Sequence, residues 1–171
     1  MLAEVQALVT HSAAERPRRT TSGLDSSRVA MVMAVLQQHC RIRLQTFDVF
    51  ASTVGGARVV EPASDLAVAV ALASATRGVA PPRGVVAMGE IGLAGELRRV
   101  RDLPQRLAEA ARLGFQLAVV PSEPGKPSAR SPESWTIDGM RVLDVPDIHS
   151  ALRLLNVVGS EQQKPRAVEE F

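Results

Sequence analysis

One stretch, from Thr53 to Val100, limits most strongly what this chain can fold into. It begins with an apolar segment around the adjacent glycines Gly55 and Gly56, and Pro62 then precedes a run that is apolar on nearly every helical face. A helix with apolar residues on all sides must be buried, because no face of it suits water. A second apolar segment follows, with glycines at three-residue spacing. The stretch therefore predicts the buried centre of a domain that contains both helices and strands.

The rest of the chain contains segments with the apolar spacing of a helix and segments with the alternation of a strand. We predict loops over 11–23 and 122–134. We also predict helix caps at Asp25 or Ser26 for the first helix, at Ser64 or Asp65 for the second and at Asp147 for the last. The fold class is therefore α/β (α+β), a mixed sheet flanked by helices. The predicted strands cover 3–10, 47–54, 57–60, 85–88 and 117–120, and a Gly55-Gly56 turn joins 47–54 to 57–60. A strand or a hairpin covers 91–100, and a hairpin covers 135–145. The predicted helices cover 25–39, 66–76, 104–113 and 147–155.

Length and composition indicate a soluble, cytoplasmic protein. The 171 residues fit a single domain. No apolar run reaches the roughly 18 residues that a membrane-spanning helix needs, and no secretory signal begins the chain. Cys40 is the single cysteine, so an internal disulfide is excluded, as is usual in a reducing compartment. We expect no membrane contact.

Overall charge is weak evidence for a nucleic-acid partner. The formal net charge is +2 although the sequence pI is about 9.3, because few groups titrate between neutral pH and that value in a chain without tyrosine. Aromatic residues make up 3% of the chain, which disfavours single-strand binding by stacking of bases on aromatic side chains. A nucleic-acid interface would therefore depend on local clusters of arginine.

The sequence lacks the usual phosphate-loop and zinc motifs. Gly125-Lys126 is followed by Pro127 instead of serine or threonine, and the glycine that should precede it by five residues is missing. The three histidines are too scattered for a zinc site, so we expect no metal ligands. Ser64 lies just before a helix, where capping is a simpler role than that of a nucleophile, because a serine nucleophile needs a positioned base.

Three segments of the chain carry a specific resemblance to a known family. They are GGARVVEPASDLAVAVALASA from Gly55, GEIGLAGELRRV from Gly89 and QRLAEAARLGF from Gln105, and Arg18–Asp25 and AEVQALV add to the likeness. Over about residues 2–156 the chain resembles the C-terminal domain of the bacterial RadA (Sms) family of DNA repair and recombination ATPases. The resemblance implies a fold similar to the Lon proteolytic domain, assembled as a ring of six.

The resemblance also implies that a protease site has been lost. Lon proteases use a serine and a lysine. Aligned on Pro62, the serine position falls on Ala63, and aligned on GEIGLAGE, the lysine position falls on Pro104. Loss of the nucleophile alone costs a serine protease on the order of a million-fold in rate, so we expect no catalytic residue and no enzyme activity here. A register shift of one residue would restore Ser64, which leaves an active Lon-type serine peptidase as an alternative.

The resemblance further implies that residues 1–156 form one domain of a longer protein. The end of the chain is polar and unpatterned from Gly159 on, so we expect a disordered tail over 157–171. The family's zinc finger and RecA-like ATPase core are not in this sequence. ATP, magnesium and zinc would then bind only in those other domains, and DNA-dependent ATPase and helicase activity would belong to the parent protein. We expect no cofactor in this segment.

Two roles suit such an inactive domain: a hexamer scaffold, and binding of the DNA backbone during homologous recombination and branch migration. Arg28 lies in a first helical turn, where the dipole disfavours a cation unless an anion is present. Alternatively, each arginine is solvated or pairs with a nearby glutamate (Glu61, Glu90 or Glu96), and the domain is an oligomerisation module without DNA contact. The expected partners are single-stranded or branched DNA, further copies of the chain and a recombinase filament, and the candidate DNA-binding residues are Arg18, Arg19, Arg28, Arg58 and Arg98.

Overall fold

The computed structural model describes residues 2–123 and 134–159, and the statements below concern these two ranges. They contain a mixed α/β fold with helices against its sheets, which confirms the predicted class. The strands are β1 Val5–His11, β2 Arg19–Ser22, β3 Phe47–Thr53, β4 Val85–Ala87, β5 Glu90–Ile91, β6 Leu97–Arg98, β7 Leu117–Pro121, β8 Ser134–Ile137 and β9 Met140–Val145, and the helices are α1 Ser26–Cys40, α2 Asp65–Arg77, α3 Leu103–Arg112 and α4 Ile148–Leu154.

The strands form two main sheets and a small hairpin. The first sheet has the order β1-β3-β2, with β1 antiparallel and β2 parallel to β3. A parallel connection needs a crossover, which α1 provides between β2 and β3. The second sheet has the order β4-β7-β9-β8, in which β8 and β9 form the hairpin predicted over 135–145. Strands β5 and β6 pair only with each other.

Two apolar clusters hold these layers together. The larger cluster joins the first sheet to α1, α2 and α4, and α2 is buried along most of its length, as its apolarity predicts. The smaller cluster lies between α3 and the second sheet. Because side chains alternate across a strand, Val119 of β7 belongs to the larger cluster while its neighbours Ala118 and Val120 belong to the smaller one. The second sheet is thus covered on both faces.

Two predictions about the first sheet are wrong. The predicted loop over 11–23 contains β2, a short strand at the sheet edge whose polar residues give little hydrophobic signal. The predicted hairpin through Gly55-Gly56 does not form. Instead the N–H of Val59 donates to the carbonyl of Gly23 at 2.7 Å, so this segment follows the entrance to α1 and does not pair with β3.

The packed part of the chain extends past residue 156. Val157 is 3% and Val158 is 9% exposed, and both belong to the larger cluster, so these two residues are packed although the prediction placed them in a disordered tail. The rest of that tail, 160–171, and most of the predicted loop over 122–134 lie outside the described residues. None of the helices within the described ranges has the length and apolarity to cross a bilayer.

Side-chain caps begin two of the helices as the sequence predicts. The carboxylate of Asp25 accepts from the N–H of Arg28 at 3.0 Å, and that of Asp147 accepts from the N–H of Ser150 at 2.7 Å. A hydrogen bond from the Ser27 hydroxyl, with the one from Arg28, lowers the pKa of Asp25 below its ordinary value.

Asp25 should make stability depend on pH in the acid range. A carboxyl whose pKa is lowered by folding adds stability above its ordinary pKa of 3.8, and this is lost as pH falls through the folded pKa. Asp25→Asn keeps a capping group but removes the titration. In urea unfolding at a series of pH values, the variant should lose less stability than the parent below about pH 5. Parallel curves for the two proteins would contradict this account.

Leu72 should be among the costlier side chains to truncate, because it is fully buried in the larger cluster. We expect Leu72→Ala to lower the free energy of unfolding by about 2 to 5 kcal/mol. Leu93 is 74% exposed, so Leu93→Ala is the matched control and should change stability by no more than about 0.5 kcal/mol. Urea denaturation measures both, and equal losses would show that the assignment of the core is wrong.

Candidate nucleic-acid interface

Asp65, in the first turn of α2, is the buried centre of the region that contains several of the candidate residues. Its side chain is 2% exposed. The two carboxylate oxygens accept from Nε and Nη2 of Arg28, the first at 2.9 Å, and Oδ2 also accepts from the N–H of Ile91 at 3.1 Å. Such a bidentate pair is among the stronger charge-assisted contacts. Asp65 therefore joins α1, α2 and β5.

Neither side chain predicted to cap α2 does so. Asp65 is turned toward Arg28, and the hydroxyl of Ser64 donates to the carbonyl of Glu61 at 2.8 Å. The capping prediction is therefore wrong for both residues. Position alone indicated a cap because polar residues before an apolar helix usually serve as one, whereas the tertiary partner of Asp65 lies 37 residues away in the sequence.

The helix dipole disfavours a cation at Arg28 unless an anion lies nearby, and Asp65 of the same chain is that anion. The hydrogen bond to Asp65 raises the pKa of Arg28, against the opposing effect of burial. Glu90, one of the three glutamates considered, is a second and more distant partner, with its Oε1 3.9 Å from Nη2 of Arg28. The side chain of Arg28 remains 29% exposed, so it is accessible to a phosphate only through donors that Asp65 leaves free.

Arg98 lies on the same side of the molecule, opposite Glu90 in the β5–β6 hairpin. Its Nε donates to Oε1 of Glu96 at 3.1 Å, and this pairing lowers the pKa of Glu96. The side chain of Arg98 is 59% exposed. Exposed pairs of this kind are worth about 1 kcal/mol or less, so Arg98 can exchange its glutamate for a phosphate at little cost.

Arg58 is exposed and precedes Val59, which lines the same small cleft as Arg28. Within the described residues its guanidinium has no hydrogen bond or ion pair. Gly55 and Gly56 nearby both have positive φ, and a Cβ on either would meet only open space. The surface around Arg58 is therefore open to an approaching chain.

Arg18 and Arg19 lie apart from the other three, at the end of β2 that is remote from α1's first turn. Arg19 donates to the carbonyl oxygens of Leu44, at 2.7 Å, and of Phe47. Arg18 has an exposed side chain, while its N–H donates to Asp48 and lowers the pKa of that carboxyl. The five candidates thus form two groups: Arg28, Arg58 and Arg98, and Arg18 with Arg19.

The two positions aligned with the protease dyad differ in their surroundings: one is buried and the other lies on the surface. Ala63 is 8% exposed, and its carbonyl accepts from the N–H of Gly89 at 2.9 Å. Pro104 lies in the first turn of α3 and is exposed. The cavity that Ser64 lines has a volume of about 10 Å³, which holds one water at most. Within the described residues no basic side chain forms a hydrogen bond with the Ser64 hydroxyl.

An ion pair that the sequence did not predict joins the segment before Ala63 to the segment after Pro104. Arg106, two residues after Pro104, donates from Nη2 to Glu61, two residues before Ala63. Nε of Arg106 also donates to the carbonyl of Arg101 at 2.9 Å. The sequence indicated Glu61 only as a partner for the DNA-binding candidates. The closeness of Arg106 to the missing lysine position was the one signal that could have indicated this pair.

Metal and thiol chemistry find little support in the part of the chain that the structure describes. It contains no group of three or more histidine, cysteine or acidic side chains placed to hold a metal ion. Cys40 is buried, and burial raises the pKa of its thiol to about 11. Because the thiolate is the reactive form, Cys40 is a poor nucleophile at neutral pH.

Comparison with known proteins connects these features to a family. A family model described as subunit ChlI of Mg-chelatase matches residues 56–124, less than half of the chain. DNA repair protein RadA of Mycolicibacterium smegmatis is 48% identical over 158 residues, which are 92% of this chain and 32% of that protein. The chain is a RadA homologue over most of its length. The resemblance recognised in its sequence is thereby confirmed.

Other RadA proteins match to a similar extent. RadA of Escherichia coli K12 is 41% identical over 143 residues, which are 84% of this chain and 31% of that protein, and RadA of Haemophilus influenzae is 40% identical over 156 residues. The chain thus spans about a third of the length of the curated RadA proteins that it matches. Both dyad-aligned positions and all five candidate arginines lie within the part of the chain that matches RadA of Mycolicibacterium smegmatis.

The pair between Asp65 and Arg28 should contribute far more to stability than an exposed pair. Asp65→Ala leaves the cation and the N–H of Ile91 without their acceptor, so we expect a loss of about 3 to 5 kcal/mol in the free energy of unfolding. Glu109→Ala removes one partner of the exposed pair with Arg112 and should cost far less, because exposed ion pairs contribute little to stability. Urea unfolding of both variants tests this, and similar losses would refute the central role of Asp65.

Proposed function

We propose that this chain is a catalytically inactive, Lon-like domain of a RadA-type DNA repair protein, acting in homologous recombination and branch migration. In this proposal it supports a ring of six copies and binds DNA through backbone contacts. The observation that carries the proposal is the match to proteins named DNA repair protein RadA over up to 92% of the chain. ATPase and helicase activity, with their ATP, magnesium and zinc, would belong to other domains of the parent protein in the bacterial cytoplasm.

The surroundings of the dyad-aligned positions support the absence of peptidase activity. A serine nucleophile needs a neighbouring base and an open site for the peptide. Alanine and proline occupy the two aligned positions, and the hydroxyl of Ser64 is held by the carbonyl of Glu61 beside a cavity of about 10 Å³. The ion pair between Arg106 and Glu61 fixes the two segments to each other. In the proposal this arrangement contributes to the fold and does not serve acyl transfer through Ser64.

The arrangement of the arginines supports DNA binding by some candidates more than by others. Arg18 and Arg58 present exposed guanidinium groups with no ion pair within the described residues. Arg98 has an exposed and weak pair, whereas Arg28 is held by the buried carboxylate of Asp65. Removal of Arg28 would therefore change stability as well as affinity. Arg18 and Arg58 are the positions at which binding can be tested without disturbing the fold.

A pure oligomerisation module is the second candidate function. The observation that favours it is the number of arginines with partners inside the chain: Arg19 with backbone carbonyls, Arg28 with Asp65, and Arg98 with Glu96. In that case the chain would assemble without holding DNA. A recombinase filament could then be the partner that brings the assembly to its substrate.

DNA binding should weaken when Arg18 and Arg58 are both changed to alanine. We expect salt-sensitive, sequence-independent binding by the parent chain, with a log–log slope of affinity against salt that falls by about 0.7 for each single-strand phosphate that the variant no longer neutralises. Arg83→Ala with Arg112→Ala removes the same charge elsewhere and is the control. Fluorescence anisotropy with single-stranded and branched oligonucleotides measures both variants, on the separate chain and on its assembled form, since copies in a ring add avidity.

Three outcomes separate the candidates. Weaker binding confined to the Arg18 and Arg58 variant supports the DNA-binding domain. If analytical ultracentrifugation shows that the parent chain assembles, but the assembly binds no DNA above background, the oligomerisation module is supported instead. Cleavage of casein that stops on Ser64→Ala would show that the proposal of inactivity is wrong.

A further inference from the structure

We propose that a cleft at the C-terminal ends of α1 and α2 is a binding site for phosphate groups. It is distinct from the five candidate arginines, and it does not depend on the function proposed above. The cleft has a volume of about 700 Å³ and lies between these helix ends, the β5–β6 turn and the start of α4. The residues that carry the proposal are His39, Arg41, Arg77, Gly95, Asp147 and His149.

Positive charge dominates this cleft. Arg41 and Arg77 are both exposed, and within the described residues neither guanidinium has an ion pair or a hydrogen bond. Among the residues that the structure describes, the lining contains one acid, Asp147, whose carboxylate accepts from the N–H of Ser150 at the start of α4, so the two arginine charges outnumber it. Two free guanidinium groups around one concave surface suit a phosphate, whose oxygens accept several N–H bonds at once.

The wall of the cleft is held in place by tertiary contacts. The imidazole of His39 contacts the carbonyl of Leu93 at 3.0 Å. A Cβ on Gly95 would come within 3.2 Å of the same ring, and Gly95 has φ 84°, so glycine suits this close turn better than a residue with a side chain. The carbonyl of Gly95 in turn accepts from the N–H of Ile148 at 2.9 Å. These bonds connect three elements around the cleft, so its shape exists before a ligand arrives.

The backbone of Arg41 gives an independent reason to assign a role to its side chain. Arg41 ends α1 in the left-handed region, with φ 53°, and Gly78 ends α2 in the same way with φ 66°. Glycine is the residue that adopts this conformation without steric cost. An arginine at such a position is less stable than glycine unless its side chain contributes something that glycine lacks. A phosphate contact would supply that contribution.

Interaction with helix dipoles is the competing explanation for these cations. Basic residues near a helix C-terminus interact favourably with its partial negative charge, and His39 and Arg77 both lie in last turns. That effect would stabilise the fold and would give no affinity for phosphate. The helix-dipole explanation predicts that loss of Arg41 lowers stability. The phosphate-site proposal predicts that it lowers phosphate affinity.

The cleft is too far from Arg28 to share a phosphate with it. Helix α1 has 15 residues, so its two ends are about 22 Å apart at a rise of about 1.5 Å per residue. Arg28 lies at the first end and the cleft at the second. A ligand bound between Arg41 and Arg77 would thus be a separate contact, supplied either by a nucleotide or by the backbone of a nucleic acid.

The test uses the full chain and titrates it with inorganic phosphate, with a nucleoside diphosphate and with a single-stranded oligonucleotide. Backbone amide resonances of Arg41 and Gly95 should shift with phosphate. Arg41→Gly with Arg77→Ala should weaken phosphate binding about tenfold or more, while Arg83→Ala with Arg112→Ala should leave it unchanged. Arg41→Lys keeps the charge and should retain part of the affinity. The variant lacking Arg18 and Arg58 should still bind phosphate here, which separates this proposal from the previous one.

The outcomes are decisive in both directions. Arg41→Gly alone should weaken phosphate binding while its melting temperature stays the same or rises, because glycine relieves the left-handed backbone. A lower melting temperature with unchanged phosphate affinity would favour the helix-dipole explanation and overturn the proposal. Absence of shifts at Arg41 and Gly95 with all three ligands would also overturn it. Tighter binding of the oligonucleotide than of the diphosphate would identify a nucleic-acid backbone as the source of the phosphate.

Discussion

The buried carboxylate of Asp65 is the contact on which the surrounding structure depends. An ionised carboxylate removed from water is costly unless hydrogen-bonded cations and donors compensate it. Arg28 supplies two donors from α1, and the N–H of Ile91 supplies one from β5. The pair therefore fixes how α1, α2 and the β5–β6 hairpin lie against one another. The apolar cluster adds most of the driving force, but a cluster of valine and leucine would tolerate several arrangements that Asp65 does not.

The segments that contain Ala63 and Pro104 are tied to the rest of the fold by contacts within the chain. Here the carbonyl of Ala63 is bonded to Gly89, and Glu61 reaches across to Arg106. The cavity beside Ser64 is no larger than one water.

Arginines in this chain serve two different purposes, and only the tertiary structure separates them. Arg28 is bound by a buried acid, whereas Arg58 is exposed beside an open glycine turn. A phosphate would have to displace Asp65 to bind Arg28 fully, whereas at Arg58 it would displace only water. Exposed charges lose only hydration and weak pairs on binding. The cations Arg41 and Arg77 resemble Arg58 in this respect, but they line a concave surface. The DNA-binding and phosphate-binding proposals both depend on this difference.

The sequence by itself determined the local features: the buried helix α2, the capped starts of α1 and α4, the hairpin of β8 and β9, and the RadA homology. These follow from periodicity, capping residues and motifs that are contiguous in the chain. Only the tertiary structure decided that β2 joins the first sheet, that the Gly55-Gly56 turn makes no hairpin, and that Asp65 binds Arg28 instead of capping α2. Each of these depends on residues distant in sequence, and a polar side chain or a short edge strand carries no local signal that names its partner. For the same reason the sequence identified the arginines but could not show which of them form ion pairs with acidic side chains.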